Sequence, residues 1–112
     1  MTTSIERTWT AVCAASRVGD CSGAAALVEG EQVAVFRVGS EWFALSNWDP
    51  CSGAAVLSRG IVGDVGGEPV VASPVYKERF SLHTGQCLDA PGVSVPVYRV
   101  RVREGIVEVG SP

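Results

Sequence analysis

The chain has 112 residues, 46% of them apolar and 19% charged, with a net charge of −3. This length fits one hydrophobic core, so we expect a single domain over residues 1–112 with an ordered core from about residue 7 to about residue 109. The acidic balance excludes an electrostatic footprint for nucleic acid or an anionic membrane surface, and no apolar run approaches the roughly 20 residues of a bilayer span.

The opening residues, MTTSIERTWT, lack the basic start and the apolar core of a secretion signal, which predicts a cytoplasmic protein. A helical turn is expected within Thr10–Gly19, where Gly19 would end it. The next three segments are rich in β-branched and aromatic residues and are separated by glycine turns, so they predict a meander of three strands. These strands are Ala24–Glu29, Gln32–Val38 and Glu41–Ser46.

The second half continues in hairpins. Gly60–Val65 and Glu68–Ser73 flank a Gly-Gly turn, and Arg79–Leu82 and Cys87–Asp89 flank the tight turn His83-Thr84-Gly85. In the last hairpin, Val97–Arg103 alternates arginine with Tyr and Val before a Glu-Gly turn and Ile106–Val109, which predicts one buried and one solvated face. The fold class predicted by these patterns is all-β.

The four cysteines, Cys13, Cys21, Cys51 and Cys87, are separated by 8, 30 and 36 positions. No C-x-x-C pair is present to nucleate a zinc or iron-sulfur site. In a reducing compartment we expect four free thiols.

Two stretches, Asn47–Gly60 and Ala72–Cys87, give the chain a family resemblance. Their order of strands and turns resembles the Rieske ferredoxin-like fold, whose two loops read approximately C-P-H-x-G-A-x-L and C-P-x-H-x-x-x-F-x-L-x-T-G and hold a [2Fe-2S] cluster. The framework residues match these loops in order. They are Pro50, Gly53, Ala54 and Leu57 in the first and Pro74, Phe80, Leu82, Thr84 and Gly85 in the second.

The ligands of that pattern are all replaced. The cysteine and histidine positions of the first loop hold Asp49 and Cys51, and those of the second hold Ser73 and Tyr76. One thiolate, a carboxylate, a hydroxyl and a phenol are a poor donor set for two irons, because Ser and Tyr hydroxyls ligate only when deprotonated. We therefore expect no metal and no cofactor on this chain.

Two hypotheses concern what these positions do instead. Asp49, Cys51 and the single histidine, His83, could form a mononuclear zinc site, although structural zinc usually takes four N or S ligands. Alternatively the Tyr76 ring fills the volume between the loops and its hydroxyl bonds Asp49, Ser73 or a backbone carbonyl, while Asp49 bonds amides of its own loop.

Three stretches, LSRGIVGD, EPVVASPVYKERFSLHTGQCL and VSVPVYRVRV, make the chain similar to the small subunit of assimilatory NAD(P)H-dependent nitrite reductase. That resemblance implies a cluster-free domain without catalytic residues in an oxidoreductase that reduces nitrite to ammonium. It also implies a large subunit that carries FAD, a [4Fe-4S] cluster and siroheme. The chain would dock on this partner through the end of the fold that faces the redox partner in true Rieske ferredoxins. The residues expected there are Trp48, Asp49, Pro50, Cys51, Ser52, Tyr76, Lys77 and Arg79.

Two alternatives stay open from the sequence. The first is a Rieske-type [2Fe-2S] electron-transfer ferredoxin of an oxygenase, against which the replaced ligands argue. The second is a stand-alone interaction module that shares the fold but does not bind a siroheme enzyme.

Overall fold

The structure, a computed structural model, describes residues 9–110. Within them the chain forms twelve strands and two single-turn 3-10 helices, which confirms the all-β class. The first six strands are β1 (Trp9–Ala14), β2 (Ser22–Val28), β3 (Glu31–Val38), β4 (Glu41–Ser46), β5 (Trp48–Asp49) and β6 (Ala54–Ala55). The others are β7 (Ile61–Val65), β8 (Glu68–Ala72), β9 (Arg79–Ser81), β10 (Val97–Tyr98), β11 (Val100–Arg103) and β12 (Ile106–Gly110). The 3-10 helices are Ala15–Arg17 and Leu57–Arg59.

A four-stranded antiparallel sheet, in the order β10-β4-β3-β2, forms the middle layer. One face of it packs Phe36 and Leu45 against Val71 and Phe80, which belong to the sheet β7-β8-β9. The other face packs Val33, Val35 and Ala44 against Val107 and Val109, which belong to the sheet β1-β12-β11. Burial of β3 on both faces explains why its sequence is a continuous apolar run rather than an alternating one.

The helical turn predicted within Thr10–Gly19 is present as the 3-10 helix Ala15–Arg17, whereas the strand that precedes it was not predicted. Trp9–Ala14 is a strand that pairs with β12, with a bulge between Ala11 and Cys13, and only Ala15–Arg17 turns. Pairing with β12 satisfies backbone groups that an isolated short helix would leave open, so tertiary contact overrides the local signal.

The terminal segment also differs from the single strand that was predicted. It divides at Arg99, so that Val97–Tyr98 joins the middle sheet and Val100–Arg103 joins the sheet of β1. The segment after the His83-Thr84-Gly85 turn forms two isolated bridges instead of a full strand: Cys87 pairs with Phe80, and Gln86 pairs with Ser94.

Two loops project from one end of these layers, and we call that end the tip. Loop one comprises residues 47–56 and contains the short pair β5-β6. Loop two comprises residues 73–78 and connects β8 to β9. Across residues 9–110 no helix has the length and apolarity needed to cross a membrane.

Candidate functional site

Loop one is a tight turn organised around Asp49. Asp49 pairs with Ala54 across β5 and β6, and its carbonyl accepts a hydrogen bond from the Gly53 N–H at 2.8 Å. Its carboxylate oxygen Oδ1 accepts from the Cys51 N–H at 2.9 Å. This arrangement confirms that Asp49 bonds an amide of its own loop, as aspartate commonly does in turns.

A second set of hydrogen bonds joins the two loops through the same carboxylate. The Ser73 hydroxyl donates to Asp49 Oδ2 at 2.5 Å, and the Ser52 hydroxyl donates to the same oxygen at 2.9 Å. Asp49 is 0% exposed and Ser73 is 1% exposed. Burial by itself would raise the pKa of Asp49, but the bonds from Ser73, Ser52 and the Cys51 N–H outweigh it and lower that pKa.

Loop two closes on itself through Ser73. Its N–H donates to the Glu78 carbonyl at 2.8 Å, and its carbonyl accepts from the Lys77 N–H at 3.0 Å. The reversal places Lys77 at φ +68, in the left-handed region. Tyr76 is 63% exposed, so the prediction that its ring fills the space between the loops is wrong. The direct bond from Ser73 to Asp49 closes the loops and leaves the tyrosine outside.

The thiol of Cys51, in loop one, is half-buried. Burial, followed by the carboxylate of Glu78, raises the pKa of this thiol to about 11. A thiol with such a pKa is neutral at pH 7, whereas the thiolate is the form that binds metals. One oxygen of that neighbour, Glu78 Oε1, is buried without a hydrogen-bond partner among the residues that the structure describes.

The donor set of the tip does not fit a Rieske [2Fe-2S] cluster. Asp49 and Ser73 are hydrogen-bonded to one another, Cys51 is the one thiol at the four ligand positions, and Tyr76 is exposed. His83, the third member of the zinc hypothesis, packs the edge of its ring against Phe43, with centroids 5.0 Å apart. From Trp9 to Gly110, no group of three or more His, Cys, Asp or Glu side chains comes together in a way that could hold a metal ion.

The residues predicted to contact a partner differ in what they present at the surface. Trp48, Pro50, Tyr76 and Lys77 are exposed, whereas Cys51 and Ser52 are half-buried. Asp49 is buried, so it can only hold the loops in shape. The Arg79 guanidinium forms an ion pair with Asp89, with Nη2 and Oδ1 2.6 Å apart, and it lowers the pKa of that carboxyl to about 2.

Sequence analysis missed three residues of this region. Val75 is 47% exposed beside Tyr76 and adds to the apolar surface of the tip. Glu78 faces the Cys51 thiol, although its sequence context is that of an ordinary solvated turn. Asn47 is buried and ties loop one to the helical turn after it, because its Oδ1 accepts from the Ser58 N–H at 2.7 Å. Its position directly after the apolar strand β4 is the signal that could have revealed it.

A closed pair of loops at the end of a three-layered β-fold defines the class of protein. The chain belongs to the family of Rieske-like [2Fe-2S] domains, whose profile matches residues 8–110. Within that family it belongs with the small subunits of NAD(P)H-dependent nitrite reductase. The "Nitrite reductase (NADH) small subunit" of Salmonella typhimurium is 42% identical over 103 residues, which cover 90% of this chain and 95% of the relative.

A solved structure gives the same placement, and a segment of a large subunit is also similar to this chain. A crystal structure described as an NADH-dependent nitrite reductase small subunit from Mycobacterium tuberculosis has 47% identity and a TM-score of 0.91, covering 96% of this chain and 97% of its own. The "Nitrite reductase [NAD(P)H] large subunit" of Klebsiella oxytoca is 42% identical over 105 residues. The match takes in 94% of this chain but only 11% of that large subunit.

Proposed function

We propose that this chain is the accessory small subunit of an NAD(P)H-dependent nitrite reductase, that it forms one domain, and that it docks through its tip on the large catalytic subunit. The observation that carries the proposal is the hydrogen bond between Asp49 and Ser73. This bond joins the two positions at which the family pattern has cysteine ligands. The fold is therefore kept, and a hydrogen-bonded pair of loops stands in place of the cluster that carries electrons. A domain built in this way contributes contacts rather than electrons.

The surface of the tip supports a docking role. Trp48, Val75 and Tyr76 are exposed large side chains on the two loops, at 52%, 47% and 63% exposure. Aromatic residues are enriched at the centres of protein interfaces because they bury a large area at small entropic cost. The hydrogen bonds between the loops fix the backbone that carries these side chains, which reduces the ordering cost of binding.

The fused relative supports the identity of the partner. In Klebsiella oxytoca a segment similar to this chain lies within the same polypeptide as a nitrite reductase large subunit. Covalent attachment keeps the two parts at high effective concentration, which benefits parts that act together. We propose that the FAD, [4Fe-4S] cluster and siroheme of the reaction all lie on the large subunit, that this chain holds no cofactor, and that both are cytoplasmic.

The proposal is tested with the purified full chain and the siroheme-containing large subunit of the same enzyme. We expect the chain to contain no stoichiometric iron and to show no visible absorption band of a Rieske cluster. We also expect it to co-elute with the large subunit in size-exclusion chromatography. A Rieske spectrum would support the oxygenase ferredoxin instead, and a colourless chain that fails to bind the large subunit would support a separate interaction module.

A further inference from the structure

A cleft of about 330 Å³ opens beside the tip, between loop one and the turn that joins β2 to β3. It is lined by Gly30, Glu31, Gln32, Ser46, Trp48 and Ala55. Trp48 contributes to both the cleft and the tip surface, so the two form one continuous surface. The indole lies near Gly53 of loop one, with its Cζ2 atom 4.0 Å from the point where a Cβ on Gly53 would stand.

The cleft is lined by one charged group, the Glu31 carboxylate, and by two polar side chains, Gln32 and Ser46, that can accept as well as donate hydrogen bonds. The side-chain oxygen Oε1 of Gln32 accepts only a long bond from Asn47 Nδ2, at 3.4 Å, and the Ser46 hydroxyl oxygen accepts from the Trp48 N–H at 3.1 Å. A group that carries several donors and a positive charge is therefore complementary to this cleft.

The Glu31 carboxylate forms no ion pair with the residues that the structure describes. Among residues 9–110 the only ion pairs are Arg79 with Asp89 and Arg101 with Glu108, and Glu31 accepts no side-chain hydrogen bond there. Burial, and after it the negative charge of Glu31, raise the pKa of the Tyr98 phenol. An incoming cation would find this carboxylate available.

We propose that the cleft receives an arginine side chain of the catalytic large subunit, whose guanidinium pairs with Glu31 and stacks on the indole of Trp48. The inference rests on the proposed function and specifies the partner chemistry of one part of the interface. A guanidinium suits the cleft better than an ammonium, because it is planar, stacks on an aromatic face and presents donors in several directions.

The test is the affinity of the full chain for the siroheme-containing large subunit, measured by calorimetry at low and at high ionic strength. Glu31→Gln keeps the shape of the side chain and removes its charge, and Glu31→Lys reverses the charge. The matched control is Glu41→Gln, an exposed glutamate at the opposite end of the β3–β4 hairpin. Thermal melting checks that these three variants, and the variant Trp48→Leu, fold as the wild type does.

We expect Glu31→Gln to lower the affinity about tenfold at low ionic strength and less at high ionic strength, because the lost pair is screened by salt. Glu31→Lys should lower it further, Trp48→Leu should also weaken binding, and Glu41→Gln should match the wild type. Equal affinities for Glu31→Gln and Glu41→Gln would overturn the inference while leaving the docking proposal intact. If Trp48→Leu lost affinity and the Glu31 variants did not, the cleft would bind the partner by apolar contact. That result would also overturn the inference of cation recognition. Failure of the wild-type chain to bind would overturn the docking proposal, and this inference with it.

Discussion

The two positions that would supply cysteine to a Rieske cluster are joined in this protein by one hydrogen bond. The hydroxyl of Ser73 lies 2.5 Å from the carboxylate of Asp49, and both side chains are buried. A buried carboxylate is unfavourable unless hydrogen bonds compensate for its lost hydration. Asp49 receives three, from Ser73, Ser52 and the Cys51 N–H. Two small polar residues thus link the loops at the point where an iron would otherwise join them.

Removal of this hydrogen bond should destabilise the protein. We expect Ser73→Ala to lower the free energy of unfolding by about 1.5–3 kcal/mol at pH 7, because a buried charge loses a donor. Ser94→Ala, at an exposed serine, is the matched control and should stay close to the wild type. Urea denaturation measures both variants, and equal stabilities for the two would show that the bond between the loops contributes nothing.

The same variant gives a pH dependence with a defined sign. The pKa of Asp49 is lowered in the folded state, so its stabilisation is complete above the ordinary carboxyl value of 3.8 and is lost as the pH falls through the folded-state pKa. The difference in stability between the wild type and Ser73→Ala should therefore be largest near neutral pH and should shrink below about pH 4. A difference that grows toward acid pH would contradict a charged Asp49 in the folded protein.

The chemistry of Cys51 offers a second test at the level of single residues. Burial and the Glu78 carboxylate raise the pKa of its thiol to about 11, and alkylation requires the thiolate. Glu78→Gln removes the negative charge, so the thiol should ionise more readily and react severalfold faster with iodoacetamide at pH 8 to 9. Peptide mass spectrometry resolves Cys51 from the other thiols, and Glu104→Gln, in an exposed turn, is the control. An unchanged rate would mean that burial alone suppresses the thiolate.

At the level of secondary structure, local sequence patterns predicted most strands and failed where tertiary contacts decide. The meander and the Gly66-Gly67 hairpin were predicted within a few residues, because glycine turns and β-branched runs are local signals. The strand Trp9–Ala14 was missed, since its conformation depends on pairing with β12, which is far away in sequence. The framework of the tip was visible in the sequence. The outward position of Tyr76 was not, because it follows from a bond between two loops.

Gly85, the glycine of the turn predicted from sequence at residues 83–85, is required for two separate physical reasons. Gly85 closes the His83-Thr84-Gly85 turn at φ +78, and a Cβ there would stand 2.2 Å from the carbonyl oxygen of Val95. Gly92 has a similar φ of +84 but nothing within 4 Å of the corresponding point. Alanine substitutions at Gly85 and Gly92 therefore separate the free-energy cost of the left-handed backbone from the free-energy cost of the steric clash.

We expect Gly92→Ala to lower the free energy of unfolding by about 1–2 kcal/mol, the cost of a left-handed residue that carries a Cβ. Gly85→Ala should lower the free energy of unfolding by more than about 3 kcal/mol, because the segment at Val95 must also move. Chemical denaturation of the two variants side by side is the measurement. Similar losses for both would show that the segment around Val95 shifts freely to accommodate the methyl group.

At the scale of the whole molecule, the layers place all of the tip surface at one end. The middle sheet is anchored on both faces by apolar residues, and loop one leaves directly from the end of β4 through the buried Asn47. The hairpin that ends at Arg103 and Ile106 lies at the opposite end, because β10 and β11 run away from the end of β4 that carries loop one. The chain thus carries the tip at one end of its layers and the turn between β11 and β12 at the other.

This polarity predicts which exposed apolar residues matter for assembly. The double variant Val75→Ser with Tyr76→Ser should fold normally, because both side chains are exposed, yet lose about ten- to a hundredfold in affinity for the nitrite reductase large subunit. Ile106→Ser is the matched control, since Ile106 is an apolar residue with 37% exposure at the far end, and it should bind like the wild type. Calorimetric titration with the large subunit measures all three proteins. If Ile106→Ser weakened binding while the double variant did not, the catalytic subunit would contact the β11–β12 end, and the closed loops would serve the stability of this chain alone.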